Sequence, residues 1–169
     1  EVEMVDIYTN QLPCDLKVLE TRLVLIYKEE WKRKVQRKPK LRTYFAINQE
    51  FQTAHYIKLN LSKSQRSFLS QLRSGTLPLA IETGRYTGKP LHERICMLCN
   101  QNEVESELHF LLHCPRYNDE RFIFFNDNII DSTNLDIGTV QLLFKNHTRK
   151  LAKLISRFYL IRQNQLYIV

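Results

Sequence analysis

The chain has 169 residues, 43% of them hydrophobic, and a formal net charge of +7 at neutral pH. That length suits one domain with a real core, the composition excludes a disordered chain, and no apolar run nears the roughly 20 residues needed to span a bilayer. With a pI near 9.3, the charge favours RNA or DNA as partner over a membrane surface, because no helix joins a basic face to an exposed aromatic one.

The opening "EVEMVDIYTN" is acidic and mixed, unlike a secretory signal. It begins without methionine, as expected of a segment cut from a longer polypeptide. "LKVLETRLVLIYKEEWKRKV" follows and reads as a long helix, with Leu16, Leu19, Leu23, Ile26 and Tyr27 three and four apart on one face. Its downstream end turns basic: "YKEEWKRKVQRKPKLR" holds eight Lys/Arg against two Glu. Pro39 should end the helix by Lys38, because the residue before a proline avoids helical angles. "TYFAINQEFQTAHYIKLNL" is less periodic and fits a short helix between loops.

"SKSQRSFLSQLRSG" predicts a clean helix with a serine cap, with Phe68, Leu69 and Leu72 inward and Gly75 as its stop. The glycines and prolines of "TLPLAIETGRYTGKPLHER" predict an irregular loop of turns or short strands. After Pro115, "RYNDERFIFFNDNI" is a further helix, and the polar turn "DSTNLDIGT" separates it from "VQLLFKNH". In the last helix Leu151, Leu154, Ile155, Phe158 and Ile161 form an apolar stripe, with Arg149, Lys150, Lys153 and Arg157 largely outside it. The expected fold is therefore mostly α, a helical domain with a small zinc knuckle in an irregular central segment. Residues 1–61 would form an N-terminal helical segment with the basic run, 62–121 a helix plus the knuckle, and 122–169 the C-terminal helices, all in one unit.

The knuckle rests on "RICMLCNQNEVESELHFLLHCPRY", which holds three of the four cysteines and two of the five histidines. Without a signal peptide, four cysteines point to a reducing intracellular setting, nuclear or cytoplasmic, where clustered thiols bind metal more often than they pair. The spacing Cys96-x2-Cys99-x9-His109-x4-Cys114 suits one tetrahedral Zn2+ ion, since a Cys-x2-Cys turn aims two thiolates at one point. The alternative is that the cysteines merely line a core helix.

"EVESELHFLLH" fits a short helix with Val104, Leu108 and Leu111 or Leu112 inward. On an unbroken helix His109 and Cys114 would point roughly 140° apart, at about 100° per residue. Pro115 removes the conflict by pushing Cys114 out of helical geometry. His113 is the rival ligand, but it is bonded directly to Cys114, and adjacent residues rarely chelate one tetrahedral ion. It is read as a surface or supporting group. "HFLLH" also has zinc-protease spacing, but Phe110 stands where the general-base Glu would be needed. Three thiolates and an imidazole leave no open position for water, so the expected zinc is structural. Cys14 reads as a plain thiol.

The run from Arg66 to Arg121 resembles the C-terminal zinc-binding region of reverse transcriptases encoded by non-LTR (LINE-like) retrotransposons. The resemblance lies in Arg73 and Gly75; in Glu82, Gly84, Arg85 and Tyr86; in Arg94, Cys96 and Cys99; and in Val104 through Tyr117. It covers about a third of the chain, with a weaker match in "WKRKVQRKPKLRTY". It implies a segment lying after the polymerase in a protein that copies element RNA into DNA at a nicked genomic site. No Tyr-x-Asp-Asp polymerase signature occurs here, and the carboxylates of "DERF" and "NDNIIDSTNLD" read as a helix start and a polar turn.

The expected function is a zinc-stabilised nucleic-acid-binding segment without catalysis or a small-molecule substrate. It would bind RNA or DNA, single-stranded or nicked. Lys32, Arg33, Lys34, Arg37, Lys38, Lys40 and Arg42 would meet phosphates, and Trp31 and Tyr44 would stack on unpaired bases. Arg73 and Arg85 are divided evenly between that role and a structural one. The competing reading is a protein-interaction module docking on the upstream polymerase domain or another protein, marked by an exposed stripe from Leu151 to Ile161. A degenerate, non-functional fragment is the remaining alternative.

Overall fold

In the computed structural model, which describes residues 15–48, 50–128 and 135–166, the first helix stands largely outside the core. Helix α1 (Leu16–Gln36) starts at Asp15, whose carboxylate accepts from the Lys17 N–H at 2.8 Å, and it ends before Pro39 as expected. Its apolar face is open to solvent: Leu16 is 78% exposed, Leu23 50% and Tyr27 56%. Only Val35, in the last turn, is buried. The rest of the anchorage is aromatic, with Trp31 edge-on to Tyr44 and Phe51.

A 3-10 turn (Pro39–Leu41) leads into the short helix α2 (Arg42–Ile47), and a second one (His55–Lys58) follows. Helix α3 (Lys63–Ser74) matches its expected form. Ser62 and Gln65 make a reciprocal capping box, Leu69 and Leu72 are buried and Phe68 is partly buried. Gly75 closes the helix in the left-handed conformation, at φ 66°. A Cβ there would also lie 2.6 Å from the Lys40 carbonyl oxygen, so glycine is required twice over.

The segment expected to be loop or short strands instead contains a helix, α4 (Ala80–Tyr86). Gly84 looks like a breaker in the sequence but serves close packing. A Cβ at this position would meet Arg94 Cγ at 2.6 Å. Arg94 lies across the helix there and donates to the carbonyls of Ile81 and Lys89. After a 3-10 turn (Leu91–Glu93) the centre is irregular, as expected, with one isolated antiparallel bridge between Ile95 and Val104.

Helix α5 (Asn118–Asn128) follows a 3-10 turn (Pro115–Tyr117). Helix α6 (Ile137–Asn146) begins earlier than the sequence suggested, because Asp136 and Thr139, read as turn residues, form its capping box. Helix α7 (Thr148–Leu166) completes the core. It packs on α3, α5 and α6, while α2 packs on α3 and α6. Leu151, Leu154, Ile155 and Phe158 are buried in one cluster that runs from Tyr56 to Phe158, with Ile161 packed against it. The stripe that would have marked a docking surface is therefore core. Cys14 and the residues from 129 to 134 lie outside the described residues.

An aromatic stack fixes the centre. Tyr117 lies parallel to Phe158 with centroids 4.4 Å apart, and Phe110 meets both rings edge-on. The Tyr117 hydroxyl is buried with no hydrogen-bond partner. Removing an unsatisfied buried hydroxyl relieves its desolvation cost. Tyr117→Phe is therefore expected to keep or raise stability, by about 1 kcal/mol at most. A clear drop in the urea midpoint would refute this account of the hydroxyl.

Candidate metal centre

The Ile95–Val104 bridge builds the first half of the site. Cys96 N–H donates to the Glu103 carbonyl at 2.8 Å, and Glu105 N–H donates to that of Arg94 at 2.9 Å. The two rungs pin a tight loop whose turn residue Asn102 has φ 53°, a conformation asparagine tolerates. Cys96 and Cys99 project from this loop.

The second half comes from the chain after it, where a single π-helical turn (His109–His113) replaces the expected α-helix. Its hydrogen bond runs from Cys114 N–H to the His109 carbonyl at 2.7 Å. Cys114 then leaves helical geometry at φ −62°, ψ 120°, ahead of Pro115. The wider turn and the proline together bring His109 and Cys114 to one point.

The four donor atoms of Cys96, Cys99, His109 and Cys114 all lie within 4.8 Å of one another. Cys96 Sγ and Cys114 Sγ are 3.9 Å apart, and Cys99 Sγ lies 3.4 Å from His109 Nε2. Tetrahedral zinc with ordinary bond lengths would set these spacings at about 3.8 Å and about 3.5 Å. The donor set can thus hold a metal ion. His113, the rival ligand, is exposed and outside the cluster.

Cys96, Cys114 and His109 are buried, which would be costly for bare thiolates. A hydrogen bond to Cys114 and burial push the Cys96 thiol up to about 12. Burial pulls the His109 imidazole down, but bonds to Cys96 and Glu103 outweigh it and lift it to about 9. Without a cation Cys96 and His109 therefore hold their protons, and a bound ion would displace them.

Three alternating glutamates tie this centre to the helices, and the sequence reading gave them no role. Glu103 accepts from His109 Nδ1 at 2.8 Å, which turns Nε2 toward the sulfurs. Glu105 is buried and takes both the Ala80 N–H and a two-pronged contact from Arg162 of α7 at 2.8 and 2.9 Å. Glu107, also buried, receives Arg42 on both oxygens at 3.0 and 2.7 Å, together with the Thr43 hydroxyl.

A fourth clasp lies beside them. Glu82 binds Lys40 at 2.7 Å, Arg85 at 3.1 Å and the Tyr86 hydroxyl at 3.2 Å. Burial pushes the Glu82 carboxyl up, but Lys40, Tyr86 and Arg85 together more than offset this and hold it below its ordinary value. Its contribution to stability is thus present above the ordinary carboxylate range and lost as pH falls through the lowered value.

Arg121 was also missed in the sequence. It is buried, and it donates to the Leu111 carbonyl at 3.0 Å and the Cys114 carbonyl at 2.8 Å. Those oxygens sit at the exit of the π turn, where helical partners run out. Arg121 therefore fixes the backbone of a ligand. Nothing in its spacing could have announced this, because the acceptors are main-chain atoms.

The structure divides the expected nucleic-acid residues. Lys32, Arg33, Lys34, Arg37 and Lys38 are exposed, with Lys34 paired to Glu30 at 2.7 Å along the helix. Lys40 and Arg42 are instead held by the buried carboxylates of Glu82 and Glu107, although Arg42 remains partly open to solvent. Trp31 is half-buried in its aromatic cluster, and Tyr44 packs between it and Arg73. Arg85 joins Glu82, and Arg73 is buried.

Among known proteins, no family model, no curated protein and no solved structure matches this chain. No helix of the described residues is long and apolar enough to cross a membrane.

Proposed function

We propose that the chain is a zinc-stabilised nucleic-acid-binding segment from the C-terminal part of a LINE-like reverse transcriptase, without catalysis of its own. Zinc is the ion that three thiolates and an imidazole at tetrahedral spacing suit best. The observation that carries the binding role is the group of five exposed cations from Lys32 to Lys38 at the end of α1. Directly after them, Lys40 and Arg42 are held by the buried carboxylates of Glu82 and Glu107, the latter two residues before His109. The positive segment is thus rooted in a rigid body, as phosphate binding requires. The buried Glu82, Glu105 and Glu107 are each paired with Lys or Arg, so they are not poised to hold catalytic magnesium.

A second reading, docking on the polymerase body or another protein, draws on the exposed leucines and valines of α1. Salt separates the two. The chain should bind RNA or single-stranded DNA with an affinity that falls steeply as salt rises, each phosphate contact adding roughly 0.7 to the log–log slope. Changing Lys32, Arg33, Arg37 and Lys38 to Gln should flatten that slope while metal content stays constant. Binding that is absent at low salt, or indifferent to these changes, would favour docking through α1.

A further inference from the structure

A cavity of approximately 490 Å³ opens between α2, α6 and the 3-10 turn at His55, away from the metal ligands. Arg73 lies in its wall and is 8% exposed. Its guanidinium is stacked on Tyr44 at 4.9 Å and Tyr56 at 5.8 Å, and its Nη2 donates to Asn48 Oδ1. No carboxylate among the described residues pairs with it, and its Nε–H is buried without an acceptor. The contrast with Arg42, Arg85 and Arg162, each held by a glutamate, is sharp. A buried, uncompensated guanidinium is costly unless an anion meets it.

The rest of the lining suits one. Lys145 and His55 contribute donors, Asn48 an amide, and Glu50 is the one acidic side chain. The rings on the guanidinium hold its plane fixed, so the donors are arranged in advance for a planar or tetrahedral oxyanion.

We propose that this cavity is a phosphate-binding site, with Arg73 as its central donor and Lys145 as its second cation. It takes one phosphate group, as a nucleic-acid strand or a free nucleotide supplies it. The site stands on the cavity and the orphaned arginine; only the strand as source rests on the nucleic-acid reading.

The test uses the full chain as purified, labelled with nitrogen-15, and follows the Arg73 side-chain Nε–H signal. Inorganic phosphate, titrated against chloride at equal ionic strength, should move that signal saturably. Lys145→Gln should weaken the phosphate affinity roughly fivefold, the upper value for an ion pair made by an exposed side chain, with the melting point in chloride unchanged. Arg73→Lys keeps the charge but not the fork and removes that signal, so in this variant the backbone N–H signals of Asn48 and His55 in the cavity wall are followed, and their response to phosphate should no longer saturate. A shift that chloride reproduces equally, or that Lys145→Gln leaves untouched, overturns the site. A 5′-phosphorylated oligonucleotide that displaces phosphate better than its unphosphorylated twin and better than a mononucleotide identifies a strand as the source; a mononucleotide competing equally assigns a free nucleotide. Salt-dependent RNA binding with no phosphate response refutes this proposal alone, and a phosphate response without RNA binding refutes the nucleic-acid reading alone.

Discussion

Stripping the proposed zinc is expected to unfold the centre of this protein, a larger effect than any single side-chain change outside the four candidate ligands. Structural zinc bound by thiolates and imidazole supplies on the order of 10 kcal/mol, comparable to the whole stability of a domain. Here the ligands also link segments that otherwise share little regular structure: a two-rung loop, a single π turn and an extended cysteine. Protons and the ion compete for the same ligand atoms, so chelator or acid should release it. Elemental analysis should find one zinc per chain. Cys99→Ser should lose metal and the cooperative melt, whereas His113→Ala should keep both, since His113 stands outside the cluster. Folded protein with metal well below one per chain, or loss of zinc from His113→Ala but not from His109→Ala, would sink the assignment.

Local signals in the sequence were reliable where the physics is local. The Ser62 cap, the Gly75 stop, the knuckle spacing and the break at Pro115 each involve a few neighbouring residues, and each took the expected form. Helix α4 was missed because Gly84 has two meanings that only a distant partner separates: Arg94 needs the space. The same holds for charge. Lys40 and Arg42 belong to one basic run with Lys38 in sequence, yet their partners Glu82 and Glu107 lie 42 and 65 residues away. A run of like charges cannot say which members face water. The apolar face of α1 carries the opposite lesson. Its periodicity predicted a helix correctly but not whether this segment itself covers it, since a hydrophobic stripe specifies burial without naming the surface that provides it.

The second large effect is expected where Glu105 meets Arg162. The pair joins the metal loop to α7 and, through the Ala80 N–H, to the start of α4. Removing one member leaves the other charge buried and unpaired, which costs about 3–5 kcal/mol. Arg162→Met should therefore lower the melting temperature by roughly 10 °C for a chain of this size. Glu105→Gln alone should cost less, because the amide oxygen still accepts from Ala80 while the arginine keeps one partner. Combining the two replaces an ion pair with an amide and an apolar chain of similar volume, so the double variant should recover much of the loss caused by Arg162→Met. That recovery is the decisive measurement. If the two losses simply add, the contact between Glu105 and Arg162 contributes nothing through its charge. The link between the metal loop and α7 would then rest on packing around Phe110, Tyr117 and Phe158 instead.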